Sequence, residues 1–319
     1  MDTIHNAMNK KIAFLFPGQG SQTVGMGRDL AERFSVAKET FAEADEACGF
    51  ALSKLCFHGP EEDLKLTENT QPAIMTVSVA VLRVLAEHGL QPALAAGHSL
   101  GEWSAHVAAG TLNFADAARA VKARGRAMQS AVPAGQGAMA AILSLDPEQV
   151  AEACEQTAAE TGLIVAAANL NSPGQTVISG AAAAVEKAAA LCKAKGARRA
   201  VMLPVSAPFH CALMQPAADI MEEALSETAL QAPVVPLVAN VTAAATIDPQ
   251  EIKELLVEQA TRMVRWRESV LLFVADEIEE VVEAGAGRVL AGLVKRVDRS
   301  LAARSVGTPA EIDALVQLL

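Results

Sequence analysis

Short apolar runs cut off by glycine or proline alternate along the chain with stretches in which apolar positions return every three to four residues. Residues 12–16, IAFLF, form the first such run, stopped by Pro17-Gly18, and predict a buried strand. Helical periodicity follows from about Arg28 to Cys48 and from Pro72 to His88. Leu94-Ala95-Ala96 predicts a second buried strand, residues 100–109 a helix closed by Gly110, and residues 114–130 another helix. Strands alternating with helices in this way predict a parallel sheet with helices on both faces.

After Pro133-Ala134-Gly135 the pattern changes. A strand is predicted over 138–143, a helix from about Asp146, and a strand pair over 164–169 and 175–179, linked by Asn171-Ser172-Pro173-Gly174. An alanine-rich helix over 182–195 and a strand over 199–203 complete the order β-α-β-β-α-β, the split βαβ or ferredoxin-like signature. Pro204 and Pro208 bracket the return of the chain, and residues 234–238 and 280–283 predict further strands. Residues 133–204 are therefore expected to be a ferredoxin-like subdomain inserted into a larger domain built from 1–132 and 205–319.

Composition narrows the chemistry. The chain is 51% hydrophobic and 20% charged, and no stretch reaches the ~18 uninterrupted apolar residues of a membrane span. Residues 1–11 lack an apolar core, so no signal peptide is expected. Lys and Arg number 26 against 37 Asp and Glu, a net charge of −11 that argues against nonspecific nucleic-acid binding. An acidic partner would need a local basic patch, and two clusters offer one: Lys193, Lys195, Arg198 and Arg199, or Arg288, Lys295, Arg296 and Arg299. Taken alone, each cluster reads more readily as a solvated face with nearby acids. The five cysteines (Cys48, Cys56, Cys154, Cys192 and Cys211) form no C-x-x-C, which suggests reduced thiols in the cytoplasm. Tyrosine is absent, so proton transfer must use His, a carboxylate, Lys or Cys.

Gly97-His98-Ser99-Leu100-Gly101 fits G-x-S-x-G between a predicted strand and a predicted helix, the context of a nucleophile elbow on an α/β-hydrolase-like sheet. A sharp strand-to-helix turn would hold Ser99 above the sheet edge and direct the Leu100 N–H at an oxyanion. Six histidines could supply the base. His5 lies in the N-terminal tail, His58 reads as a loop residue, His88 ends a helix, His98 should point away from its neighbour, and His106 falls on the following helix. His210, on the proline-stiffened segment 204–210, is favoured without excluding the others.

Four motifs in one chain and in this order, residues 16–22 (FPGQGSQ), 97–102 (GHSLGE), 171–175 (NSPGQ) and 208–214 (PFHCALM), resemble the malonyl-CoA:acyl carrier protein transacylase family. The resemblance runs from about Lys11 to the C-terminus. It implies Ser99 as the acylated nucleophile and His210 as general base and then acid. Gln19 would give the second oxyanion N–H opposite Leu100, Arg124 would hold a free acyl carboxylate, and Gln259 would place its carbonyl at the far ring nitrogen of His210. Gln71 and Asn240 match positions near the pocket, and Phe209 before the histidine goes with malonyl rather than methylmalonyl. The same resemblance implies a monomer without a cofactor, with malonyl-CoA as substrate and an acyl carrier protein, bearing phosphopantetheine, as acceptor. An esterase or thioesterase on the same elbow, a polyketide-type acyltransferase and a non-catalytic carrier-binding scaffold are the competing readings.

Overall fold

The computed structural model describes residues 10–205 and 207–318; His5 lies outside them. Among the described residues ten strands form two sheets. Those of the larger sheet are β1 (Ile12–Phe16), β2 (Leu94–Gly97), β7 (Leu237–Val238), β8 (Ala245–Thr246), β9 (Glu280–Ala284) and β10 (Ala302–Val306), in the order β10-β9-β1-β2-β7-β8. All its pairings are parallel except β7 with β8. Every residue of β1 is buried because helices cover both faces. Phe14 and Phe16 point into the core built around the helix Thr67–Glu87, whereas Ala13 and Leu15 face Trp266, Phe273 and Val294 on the other side.

The smaller sheet is formed by β3 (Gly137–Leu143), β4 (Val165–Ser172), β5 (Gln175–Ala181) and β6 (Arg199–Met202), in the antiparallel order β4-β5-β3-β6. Helices Pro147–Thr161 and Ala182–Ala194 pack on it through Val150, Ala153, Val185 and Ala188. The α/β class with a parallel sheet and a ferredoxin-like unit is what the sequence predicts. The smaller sheet is tied to the segment between the helices Pro249–Glu258 and Trp266–Ala275, where Asn169 of β4 bridges Val264 and Leu170 N–H donates to Val264 O at 2.9 Å. All five cysteines are buried and free. No helix among the described residues is long and apolar enough to cross a membrane.

Several elements differ from the sequence reading. The helix expected over 28–48 is broken at Phe34, whose backbone is extended, into Arg28–Arg33 and Ser35–Cys48. The next long helix begins at Thr67, five residues before Pro72, and tolerates that proline inside it. His58 ends the helix Leu52–His58 rather than lying in a loop. The strand expected over 234–238 shrinks to Leu237–Val238, because Pro236 cannot donate to a ladder and Val234 lies exposed. In the β4–β5 hairpin only Pro173 and Gly174 turn, leaving Asn171 on a strand.

Candidate active site

The strand β2 ends at Gly97 and the helix Leu100–Ala108 starts at Leu100, so His98 and Ser99 alone make the turn. Ser99 is held at φ 51°, ψ −108°, a strained conformation for a residue with a side chain. Both flanking glycines are obligatory. A Cβ at Gly97 would lie 2.0 Å from Gly101 C, and one at Gly101 would lie 1.9 Å from Phe16 O. The Ser99 main chain is clamped from both sides. Its N–H donates to Asn240 Oδ1 at 2.7 Å, and its carbonyl accepts from Gln259 Nε2 at 3.0 Å.

His210 is the histidine that meets the serine: its Nε2 lies 2.8 Å from Ser99 Oγ. Its Nδ1 lies 2.8 Å from the carbonyl oxygen of Gln259. That acceptor fixes the proton on Nδ1 and leaves Nε2 as the lone pair facing the hydroxyl. The carbonyl belongs to the Gln259 main chain, so the glutamine side chain does not stand in for a triad carboxylate. Burial first, and then the Arg124 cation, push the His210 imidazole down to about 3, so it is neutral at pH 7. The other histidines are accounted for. His98 Nε2 pairs with Asn171 Oδ1 at 2.9 Å with its ring against Trp266, His106 is buried, and His88 caps the helix Thr67–Glu87.

Arg124 projects from the helix Phe114–Ser130 into the same space and is 1% exposed, whereas Arg126 is exposed. Its Nη1 donates to Gln71 Oε1 at 2.8 Å, and its Nη2 to Gln259 Oε1 at 2.8 Å and to Ser99 Oγ at 3.2 Å. Its Nε has no hydrogen-bond partner among the described residues. Burial lowers its pKa to about 10 while Glu102 opposes the shift, so the guanidinium stays charged at pH 7. A buried cation with spare donors beside a hydroxyl can receive a carboxylate as a fork.

Ser99, His210, Arg124 and Gln71 line a cavity of about 880 Å³. Gln19 and Leu100 stand on its wall near Ser99, and Phe209, 8% exposed, lines it with Met128, Met139 and Leu203. The Gln19 loop abuts the elbow so closely that a Cβ on Gly18 would lie 2.5 Å from His98 O. Leu100 opens its helix, where the first N–H groups have no carbonyl four residues back. Gln71 and Asn240 both enter the network, Gln71 on the guanidinium and Asn240 on the elbow.

Glu102 is the functional candidate that the sequence reading passed over. It closes the motif GHSLGE, it is 1% exposed, and its Oε2 accepts from Gln259 Nε2 and from the Asn240 N–H. Burial raises its carboxyl to about 7 against the pull of those donors and of Arg124. An acid three residues after the nucleophile, among Leu100, Gly101 and Trp103, was the available signal.

The sequence model of the acyl transferase domain family matches residues 13–311. The malonyl CoA-acyl carrier protein transacylase of Escherichia coli O157:H7 is 49% identical over 309 residues, covering 97% of this chain and 99% of that protein. An acyl carrier protein S-malonyltransferase from Vibrio cholerae O1 biovar eltor superposes with a TM-score of 0.94 at 50% identity, over 96% of this chain and 100% of that one. A malonyl-transacylase solved in complex with its type II PKS acyl-carrier protein gives 0.94 at 46% identity, over 97% of this chain and 99% of that one. An elbow serine, a buried histidine and a buried arginine thus sit in a chain that belongs to the acyl transferase domain family and, within it, to the malonyl CoA-acyl carrier protein transacylases.

Proposed function

We propose that this chain transfers the malonyl group of malonyl-CoA to the phosphopantetheine thiol of an acyl carrier protein through an ester on Ser99. The observation that carries the reading is the single oxygen shared by two groups: Ser99 Oγ lies 2.8 Å from His210 Nε2 and 3.2 Å from Arg124 Nη2. A base and a carboxylate receptor converge on one hydroxyl.

In the first half-reaction His210 Nε2 takes the Ser99 proton as Oγ attacks the thioester carbon. The tetrahedral oxyanion is met by the main-chain N–H groups of Leu100 and Gln19. The C–S bond breaks, His210 returns its proton to the CoA thiolate, and a malonyl-serine ester remains. The carrier thiol then reverses these steps: it loses its proton to His210, attacks the ester and releases Ser99. Because a thioester becomes a thioester, the overall reaction is close to isoenergetic.

Arg124 selects the acyl group by its free carboxylate, and Phe209 crowds the α-carbon against a methyl branch. Losing a buried ionic contact of this kind costs ~2–5 kcal/mol. Steady-state transfer with malonyl-CoA and acetyl-CoA tests the reading. Arg124→Ala is expected to lower the malonyl preference at least thirtyfold, and an unchanged preference removes Arg124 from the site.

The acceptor is a carrier protein with an acidic surface that docks on a basic patch. Lys193, Arg198, Arg199, Lys295 and Arg299 support this, since none pairs with a carboxylate among the described residues. Charge reversal at Lys295 and Arg299, compared with reversal at Arg198 and Arg199, assigns the cluster by which pair raises the KM for carrier. Transfer to a fatty-acid carrier compared with a type II polyketide carrier assigns the pathway. The reading places the enzyme in the cytoplasm as a cofactor-free monomer, and five free thiols suit a reducing compartment. Release of free malonate with no rate gain from carrier protein would instead mark a thioesterase.

A further inference from the structure

Glu102 lies in the first turn of the helix that follows Ser99, buried to 1% exposure, and touches neither the cavity nor the serine hydroxyl. Burying a carboxylate is costly unless its lone pairs are met. Here those of Oε2 are met by two residues of the site and, among the described residues, by no cationic side chain: Oε2 accepts from Gln259 Nε2 and from the Asn240 N–H. Arg124 reaches Glu102 through the Gln259 amide, whose Oε1 accepts from Nη2 at 2.8 Å.

An amide has two unlike ends. Turned over, the Gln259 side chain would set its NH₂ against the guanidinium, donor to donor, and its oxygen against both the carboxylate and Ser99 O, acceptor to acceptor. The guanidinium only donates and Ser99 O only accepts, and Glu102 in its ionised form, acceptor-only as well, holds the NH₂ in the same orientation. We propose that Glu102 is a positioning residue for the acyl-carboxylate clamp: by fixing the direction of the Gln259 amide it holds the guanidinium of Arg124 beside Ser99. Asn240 ties the same carboxylate to the elbow, since its side chain accepts the Ser99 N–H while its own main-chain N–H donates to Glu102. Gln259 is thereby held at the residue whose main-chain carbonyl orients His210.

This role rests on the reading that Arg124 receives the acyl carboxylate, and the test separates the two. Transfer from malonyl-CoA and from acetyl-CoA is measured for the wild type, Glu102→Gln, Gln259→Met, their double variant and Arg124→Ala, with cooperative thermal unfolding confirmed for each. Glu102→Gln is expected to lower the malonyl-to-acetyl ratio of kcat/KM about tenfold, chiefly through the KM for malonyl-CoA. The double variant should have the ratio of Gln259→Met alone, because Glu102 acts through that amide. A wild-type ratio in Glu102→Gln, or effects that multiply in the double variant, overturns the proposal while leaving the Arg124 reading intact. Malonyl preference that survives Arg124→Ala overturns that reading and the proposal with it. Should Glu102→Gln not fold, Glu102→Asp, which keeps the charge on a shorter arm, is expected to lose part of the ratio, and an unchanged ratio there is equally contrary.

Discussion

The side-chain amide of Asn240 spans the turn at Ser99, accepting the Ser99 N–H at Oδ1 and donating through Nδ2 to Gly97 O, each at 2.7 Å. A residue held at φ 51°, ψ −108° carries about 1–3 kcal/mol of strain and persists only where its surroundings over-determine it. Asn240 supplies that determination on one side of the turn and Gln259 on the other. Asn240→Leu keeps the bulk but leaves two buried main-chain groups unpaired, at about 1–3 kcal/mol each. Urea unfolding is expected to show a loss of at least about 2 kcal/mol, together with reduced turnover. An unchanged midpoint would show that the elbow needs no such clamp.

Arg124 also acts on the base. Its cation is the second cause, after burial, that holds the His210 imidazole down near 3. Arg124→Ala removes a positive charge, which favours the protonated ring and raises its pKa. The acid limb of kcat/KM should therefore move to higher pH in the variant. Acetyl-CoA is the substrate to use, because its uncharged acyl group does not need the clamp. A limb that stays in place, or moves to lower pH, contradicts the coupling.

His106 links stability to pH. It is 1% exposed, its Nδ1 has no partner among the described residues, and burial pushes it to about 3. Between that value and the ~6.5 of an unfolded histidine, the unfolded chain binds a proton that the folded chain refuses. Stability from this group is thus complete above about pH 6.5 and declines as pH falls toward 3. Glu102 works in the opposite sense, since a carboxyl raised to about 7 loses stability as pH climbs from its unfolded value. Comparing His106→Leu with the wild type cancels that contribution. Urea midpoints at pH 7 and pH 5 should show the wild type losing about 2 kcal/mol more than the variant over this interval. Equal losses would mean that His106 takes up its proton without unfolding.

The sequence carried the elbow because its constraint is local: Gly97 and Gly101 leave no room for a Cβ, and strand and helix flank them within the same ten residues. His210 comes from 111 residues away and only the proline-stiffened segment hinted at it. Arg124 had no signal beyond family spacing, since its burial depends on how the helix Phe114–Ser130 packs. Gln259 shows a different limit. A residue letter names a side chain, whereas the contact to His210 is made by a main-chain carbonyl that any residue carries. The glutamine side chain is spent on Arg124, Ser99 and Glu102, and without that network in view Glu102 was only the last letter of a motif. Strand β10, with Arg304 in its middle reaching Glu280, broke the apolar run that marks β1 and so escaped notice.

The central claim is that Ser99 carries the acyl group, and intact-protein mass spectrometry tests it directly. The protein mixed with malonyl-CoA in the absence of carrier should gain the mass of one malonyl group, located on the peptide containing Ser99. That mass should disappear within turnover time when carrier protein bearing free phosphopantetheine is added, and Ser99→Ala should never acquire it. Transfer proceeding at the wild-type rate in Ser99→Ala, or an adduct on another residue, would contradict the account.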